Sequence, residues 1–218
     1  DCSGSPASSV TIAAGDSTKS FYLRSSDPGT LSFAASASAG ALTSSALAAT
    51  FQAGGLASLT LATGVSNSVA GNCSYAYTLR LRDSNGNAAT LTSAATVTLG
   101  GSGAGTYYSD SSCTNSINTG IGFSINATPE LAFYYKSNSA GYVTFAASTS
   151  AASAAYVSHH VRPSIPNQLI STSLTSVTSG VCSAPLTLGT LDSYGNAAPV
   201  SDPQSITTSL AGSGTFYR

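Results

Sequence analysis

Tyr77-Thr78-Leu79-Arg80-Leu81-Arg82, followed by Asp83-Ser84-Asn85-Gly86-Asn87, decides the fold. Side chains alternate across a strand, so Tyr77, Leu79 and Leu81 share one face while Thr78, Arg80 and Arg82 share the other. One face suits a core and the other suits water. Asn85-Gly86 is a turn signal, because both residues accept the positive φ that a tight reversal needs. On either side lie more short runs of the same kind: Leu59-Thr60-Leu61, Thr96-Val97-Thr98-Leu99, Thr106-Tyr107-Tyr108, Phe123-Ser124-Ile125, Leu131 to Lys136, Tyr142 to Phe145 and Ala155-Tyr156-Val157. Glycines from Gly100 to Gly105 punctuate them, and Pro163 and Pro166 mark a linker. Helical spacing is absent. The expectation is an all-β protein built of short antiparallel strands.

The chain repeats. Cys73-Ser74 recurs as Cys182-Ser183, Asp83-Ser84-Asn85-Gly86-Asn87-Ala88-Ala89 as Asp192-Ser193-Tyr194-Gly195-Asn196-Ala197-Ala198, and Gly103-Ala104-Gly105-Thr106-Tyr107-Tyr108 as Gly212-Ser213-Gly214-Thr215-Phe216-Tyr217, each 109 positions on. A second set joins the start to the middle. Phe21-Tyr22-Leu23-Arg24 matches Phe133-Tyr134-Tyr135-Lys136, and Leu31-Ser32-Phe33-Ala34-Ala35-Ser36 matches Val143-Thr144-Phe145-Ala146-Ala147-Ser148, each at an offset of 112. Cys2 matches Cys113. A period near 110 is about the size of one immunoglobulin-like sandwich.

The alternating strand ending in Asp-x-x-Gly-Asn, the Gly-x-Gly-Thr-Phe/Tyr-Tyr strand and the Gly-x-Val-Thr-Phe-Ala-Ala-Ser strand resemble the bacterial Ig-like domains of invasin- and intimin-type surface proteins. That resemblance implies an Ig-like β-sandwich, a place at the cell surface and a stalk-like role. It implies no catalytic residue, and the cysteines are not a general feature of that family.

Residues 55–165 carry a full set of strands and read as one complete domain. Residues 1–54 then read as the C-terminal half of a second domain and 166–218 as the N-terminal half of a third. A half-sandwich exposes an apolar face and unpaired strand edges, so the halves are expected to complete each other. Phe21, Leu31 and Phe33 from the first half, with Leu186, Leu188, Phe216 and Tyr217 from the last, are the expected interface. Within one chain the return path across two domains is about 60 Å, at ~3.3 Å per strand residue. The linker Arg162 to Gln168 reaches at most about 25 Å. Completion between subunits removes that conflict and gives a head-to-tail array that does not close, which is a filament.

Four cysteines without C-x-x-C spacing read as two disulfides formed in an oxidising compartment. Repeat equivalence pairs Cys73 with Cys113 inside the complete domain and Cys182 with Cys2 in the rebuilt one, the latter most easily between subunits. The expected localisation is extracellular, at the cell surface.

Composition excludes several functions. Seven scattered cations cannot build a phosphate-binding surface, so nucleic acid is not an expected partner. Eighteen consecutive apolar residues occur nowhere, so no membrane-inserting helix is expected. His159 and His160 are adjacent and point to opposite faces of a strand, so they read as an exposed strand end or linker and not as a metal site. No nucleophile elbow accompanies them, and the chain reads as a non-enzyme without cofactor or metal. Asp83-x-Asn85-Gly86-Asn87 reads as a hairpin turn, since no acidic residue closes a calcium loop. Asn72-Cys73-Ser74 and Asn126-Ala127-Thr128 are sequons, each in poor context. With 11 tyrosines, the rival reading is an adhesin or carbohydrate-binding stalk segment of a larger tandem-repeat surface protein, whose partners are surface glycans.

Overall fold

A computed structural model describes residues 2–37, 46–117, 120–124, 127–174 and 176–217. Ile125 and Asn126, which the sequence places in a strand and a sequon, lie outside the described residues. Among the described residues every regular element is a strand. In chain order these are β1 (Gly29–Phe33), β2 (Leu47–Phe51), β3 (Ser58–Ala62), β4 (Asn67–Val69), β5 (Tyr77–Arg82), β6 (Ala95–Gly101), β7 (Thr106–Tyr108), β8 (Ser116–Ile117), β9 (Gly120–Phe123), β10 (Glu130–Lys136), β11 (Gly141–Thr149), β12 (Ala152–Arg162), β13 (Pro166–Ser171) and β14 (Leu188–Asp192).

Strands β3 to β12 form the middle of the molecule. Hydrogen bonds order them β8-β7-β10-β5-β3 and then β12-β11-β6-β9, with β4 beside β12. The two arcs meet through one parallel contact, Ser58 with Ser153. Aromatic rings from both arcs interlock between them. Tyr77 on β5 lies edge-on to Phe145 on β11 at 4.9 Å and stacks on Phe133 of β10 at 5.5 Å. The alternation read from 77–82 is the observed one: Tyr77, Leu79 and Leu81 are fully buried, and Thr78, Arg80 and Arg82 are half-exposed. Gly105 is needed where it stands, because a Cβ there would run into the ring and hydroxyl of Tyr135.

Cys73 and Cys113 are bonded to each other with their Cα atoms 5.7 Å apart. The bond ties the turn before β5 to the loop between β7 and β8. Asp110 organises that loop by accepting from the amides of Ser112, Thr114 and Asn115.

The flanking segments are sparser. β1 pairs only with β2 and β13 only with β14, each as an isolated antiparallel pair. Ala155–Val157, read as the last strand of the middle domain, is the centre of the 11-residue β12. The linker read at Pro163 and Pro166 is shorter than expected, since β13 begins at Pro166 itself.

Candidate subunit interface

The sequence places His159 on an exposed strand end or linker, and the structure corrects this. β12 runs on to Arg162, so His159 points inward and only His160 points outward. His159 lies between Tyr77 Oη (2.7 Å from Nδ1) and Ser68 Oγ (2.8 Å from Nε2) and is fully buried. Burial, with the neighbouring His160, holds its pKa down at about 4. Burial also pushes Tyr77 up to about 12. All three side chains are buried, and Ser68 Oγ is engaged by His159. Its hydrogen bonds satisfy three buried polar groups. No cluster of three His, Cys, Asp or Glu side chains suited to a metal occurs among the described residues.

The middle unit serves as a template for both ends. Phe133 is 0% exposed, while its counterpart Phe21 is 48% exposed. Leu79 is 0% exposed, while its counterpart Leu188 is 44% exposed. Leu31 matches the buried Val143, Leu186 the buried Tyr77, and Phe216 the half-buried Tyr107, and all three stand exposed. Tyr217 is exposed where Tyr108 is half-buried, and Phe33 is half-buried where Phe145 is buried. Phe21 and Phe33 nevertheless meet edge-on at 5.7 Å, as Phe133 and Phe145 do at 6.3 Å. In the last segment an open groove of about 660 Å³ is lined by Leu169, Leu188, Val200 and Ile206. Leu188, Val200 and Ile206 stand at the positions of the buried Leu79, Leu91 and Val97. Cys2 and Cys182 both carry free, exposed thiols.

The buried polar trio has no copy in the end segments. The turn hydrogen bond from Asn72 N to Val69 O recurs as Val181 N to Thr178 O, which fixes Val177 as the match of Ser68. Leu186 matches Tyr77. Leu31 pairs with Ala49 as Val143 pairs with His159, so Ala49 matches His159. All three polar members become apolar together. Two of the replacements are in the last segment and one is in the first.

The two end segments attach at opposite ends of the middle unit. β5 and β10 run antiparallel, with Arg80 opposite Glu130 and Tyr77 opposite Phe133. The turn 83–87 after β5 and the turn 137–140 after β10 therefore lie at opposite ends, about 33 Å apart at ~3.3 Å per residue. At one end Asn87 Nδ2 donates to Ser26 O at 2.7 Å. At the other Asn196 Nδ2 donates to Asn138 O, and its Oδ1 accepts from Ala140 N, both at 2.8 Å. These are equivalent joints. Asp83 accepts from the amides of Gly54, Asn85 and Asn87, and Asp192 from those of Ser164, Tyr194 and Asn196. The Gly54 amide above all, with the Asn87 side chain, holds Asp83 down at about 2. Burial pushes Asp192 up, but the Asn196 amide group and the backbone donors outweigh it and hold the carboxyl at about 2. The sequence reading of a plain hairpin turn missed this second role. The repetition of Asp and Asn four residues apart was the signal for it.

No protein-family model matches the chain, and no curated protein sequence matches it. Solved structures with a related backbone include a glycosyl hydrolase family 2 member from Bacteroides cellulosilyticus, at 18% identity and a TM-score of 0.42 over 62% of this chain and 18% of that one. Another is a β-glucuronidase from glycoside hydrolase family 2, at 19% identity and a TM-score of 0.42 over 73% and 16%. Domains 4–9 of the surface layer protein SbsC match at 15% identity and a TM-score of 0.37 over 79% and 25%. The chain spans a quarter or less of the length of each. Likeness at this level assigns neither a family nor an activity.

Proposed function

We propose that this chain is a structural subunit of an extracellular head-to-tail filament, in which the last segment of one copy and the first segment of the next rebuild one Ig-like sandwich. The observation that carries the reading is the matched change of Ser68, Tyr77 and His159 to Val177, Leu186 and Ala49. Leaving Tyr77 or Ser68 without the histidine would strand a buried hydroxyl, at a cost of about 1–3 kcal/mol each. Replacing all three by apolar groups avoids that cost, but only if the two segments share one core. Segments completed by unrelated sequences would have no reason to change in step.

Two further facts support the reading. The free thiols Cys182 and Cys2 occupy the positions of the bonded Cys73 and Cys113, so the rebuilt sandwich would bring them within bonding reach. The joints hold the two segments at opposite ends of the middle unit, which favours completion by a second copy over closure within one. Such a contact repeats without closing. The disulfide of the middle domain fits an oxidising, extracellular setting, and the role needs no catalysis.

Gel electrophoresis with and without reductant tests this. The expected result is a ladder without reductant that collapses to monomer when reductant is added and the sample is boiled. A monomer under both conditions overturns it. The rival reading of a glycan-binding stalk draws on Tyr142, which is 80% exposed and stacks on His160 at 4.3 Å. Binding to a glycan array that Tyr142→Ala abolishes would favour that rival.

A further inference from the structure

The two joints of the chain are built to one plan but with unequal parts. At the second joint Asn196 makes two bonds to the middle unit, one to Asn138 O and one from Ala140 N. Tyr194 also lies against Gly71, so closely that a Cβ at 71 would run into its ring and hydroxyl. At the first joint Asn87 makes the one equivalent bond, to Ser26 O. The match of Ala140 is Pro28, which has no N–H to donate. The match of Tyr194 is Asn85, a much smaller side chain. The match of Gly71 is Gly180, in the last segment, with the same positive φ (83° and 85°). In this chain Gly180 is far from the first joint, because its segment sits at the other end of the middle unit.

We propose that the Pro28/Asn85 joint is a compliant hinge, and that a second copy completes it by seating its Gly180–Val181 turn on the Asn85 turn. This rests on the filament reading above. In the middle unit the amide of Gly71 donates to Ser137 O, which holds the turn against the segment that bears Asn138. The corresponding bond in the rebuilt sandwich runs from Gly180 N of the preceding copy to Ser25 O. Ser25 and Ser137 already make the same local turn, accepting from the amides of Asp27 and Ser139 respectively. The site that receives the incoming turn is therefore preformed. Each subunit then contributes one stiff joint made within its own chain and one loose joint shared by two chains. A filament so built bends at every second joint.

The full-length chain and two variants test this. Pro28→Ala with Asn85→Tyr gives the first joint the parts of the second, and Tyr194→Asn gives the second joint the smaller residue of the first. Both changes fall on exposed turns whose counterpart already carries the new residue type. Non-reducing gels report whether filaments form, and negative-stain micrographs report the bend angle at each successive joint. The native filament is expected to alternate broad and narrow bend-angle distributions. The double variant is expected to narrow the broad class to match the other, and Tyr194→Asn to broaden the narrow one, with an unchanged ladder in each case. Uniform bending in the native filament, or distributions unmoved by both variants, overturns the hinge and leaves the filament reading standing. Absence of a ladder from the native chain overturns both.

Discussion

Phe133 and Phe21 occupy the same place in the same pattern, yet one is sealed in a core and the other faces water. The same holds for Leu79 and Leu188. Leu79 and Leu188 are both carried on strands, β5 and β14, and differ in what lies opposite; Phe133 stands on β10, whereas Phe21 lies outside the strands. In the middle unit β5 and β10 are neighbours, and β11 covers both. In the first segment β1 stands for β11, while the residues equivalent to β10, 18–24, form no strand; in the last segment β14 stands for β5 without β10. An alternating strand says which face is apolar. It does not say that the apolar face has been covered, and covering is what converts the pattern into stability.

The sharpest way to break that comparison is to truncate both phenylalanines. Phe133→Ala removes a fully buried ring and is expected to destabilise the middle unit by about 3–5 kcal/mol. Phe21→Ala is expected to leave the unfolding midpoint of the monomer unchanged and to abolish the disulfide ladder. Urea unfolding of monomer and gels of concentrated protein measure the two effects. Equal loss of monomer stability in both variants would mean that the first segment already belongs to a core of its own.

The cysteines give the next largest contrast. Opening the Cys73–Cys113 loop by changing both to Ser restores chain freedom to the unfolded state, worth about 3–4 kcal/mol for a loop of this length. Cys2→Ser is expected to leave monomer stability where it was and to remove the ladder. A Cys2→Ser chain that still forms a reductant-sensitive ladder would refute the assigned bond.

pH separates the two cores in a third way. His159 binds its proton near pH 6.5 when unfolded and near 4 when folded. The middle unit therefore keeps the full benefit of the neutral ring above pH 6.5 and loses it as pH falls toward 4, by up to about 3 kcal/mol. Asp83 and Asp192 stay ionised over that window, since both are held at about 2. Ala49 replaces the histidine in the rebuilt core, which should not respond between pH 6.5 and 4. Hydrogen exchange on filaments at pH 7 and pH 4.5 would show opening of β5 and β12 with β14 unchanged. His159→Leu should flatten the response, and an equal response in β14 and in β5 would rule the histidine out as its source.

Much of the fold was legible because it rests on local chemistry. The strand 77–82 announces its inward face by alternation, and the Asn-Gly turn announces its end. Repeat matching singled out Phe21, Leu31, Phe33, Leu186, Leu188, Phe216 and Tyr217 without any structure, and the structure leaves all but the half-buried Phe33 exposed. His159 was misread because adjacent histidines near two prolines look like a strand end. The strand in fact continues for two more residues, and a partner 91 positions away, Ser68, makes the inward position habitable. The matched loss of the trio was invisible for a related reason. Offsets of 109 and 112 do not reveal which residue replaces His159, and only the pairing of Leu31 with Ala49 does so.

The smallest expected effect is at the joints. Asn196→Ala removes two bonds between exposed turns and leaves the acceptor on Asn138 and the donor on Ala140 free to take water. Hydrogen bonds with access to water contribute about 0.5–1.5 kcal/mol each, so the last segment should loosen by roughly 1–2 kcal/mol while the middle unit keeps its midpoint. Asn87→Ala removes one such bond and should loosen the first segment by about half as much. Limited proteolysis at 166–174 and at 22–28 reads each segment separately. Both asparagines also bond to their own Asp, so a control is needed that spares the turn. Pro28→Ala supplies it, because it adds a donor at the first joint without touching Asp83. If Pro28→Ala slows cleavage at the first joint toward the rate at the second, the missing N–H is what makes the two ends of the chain unequal.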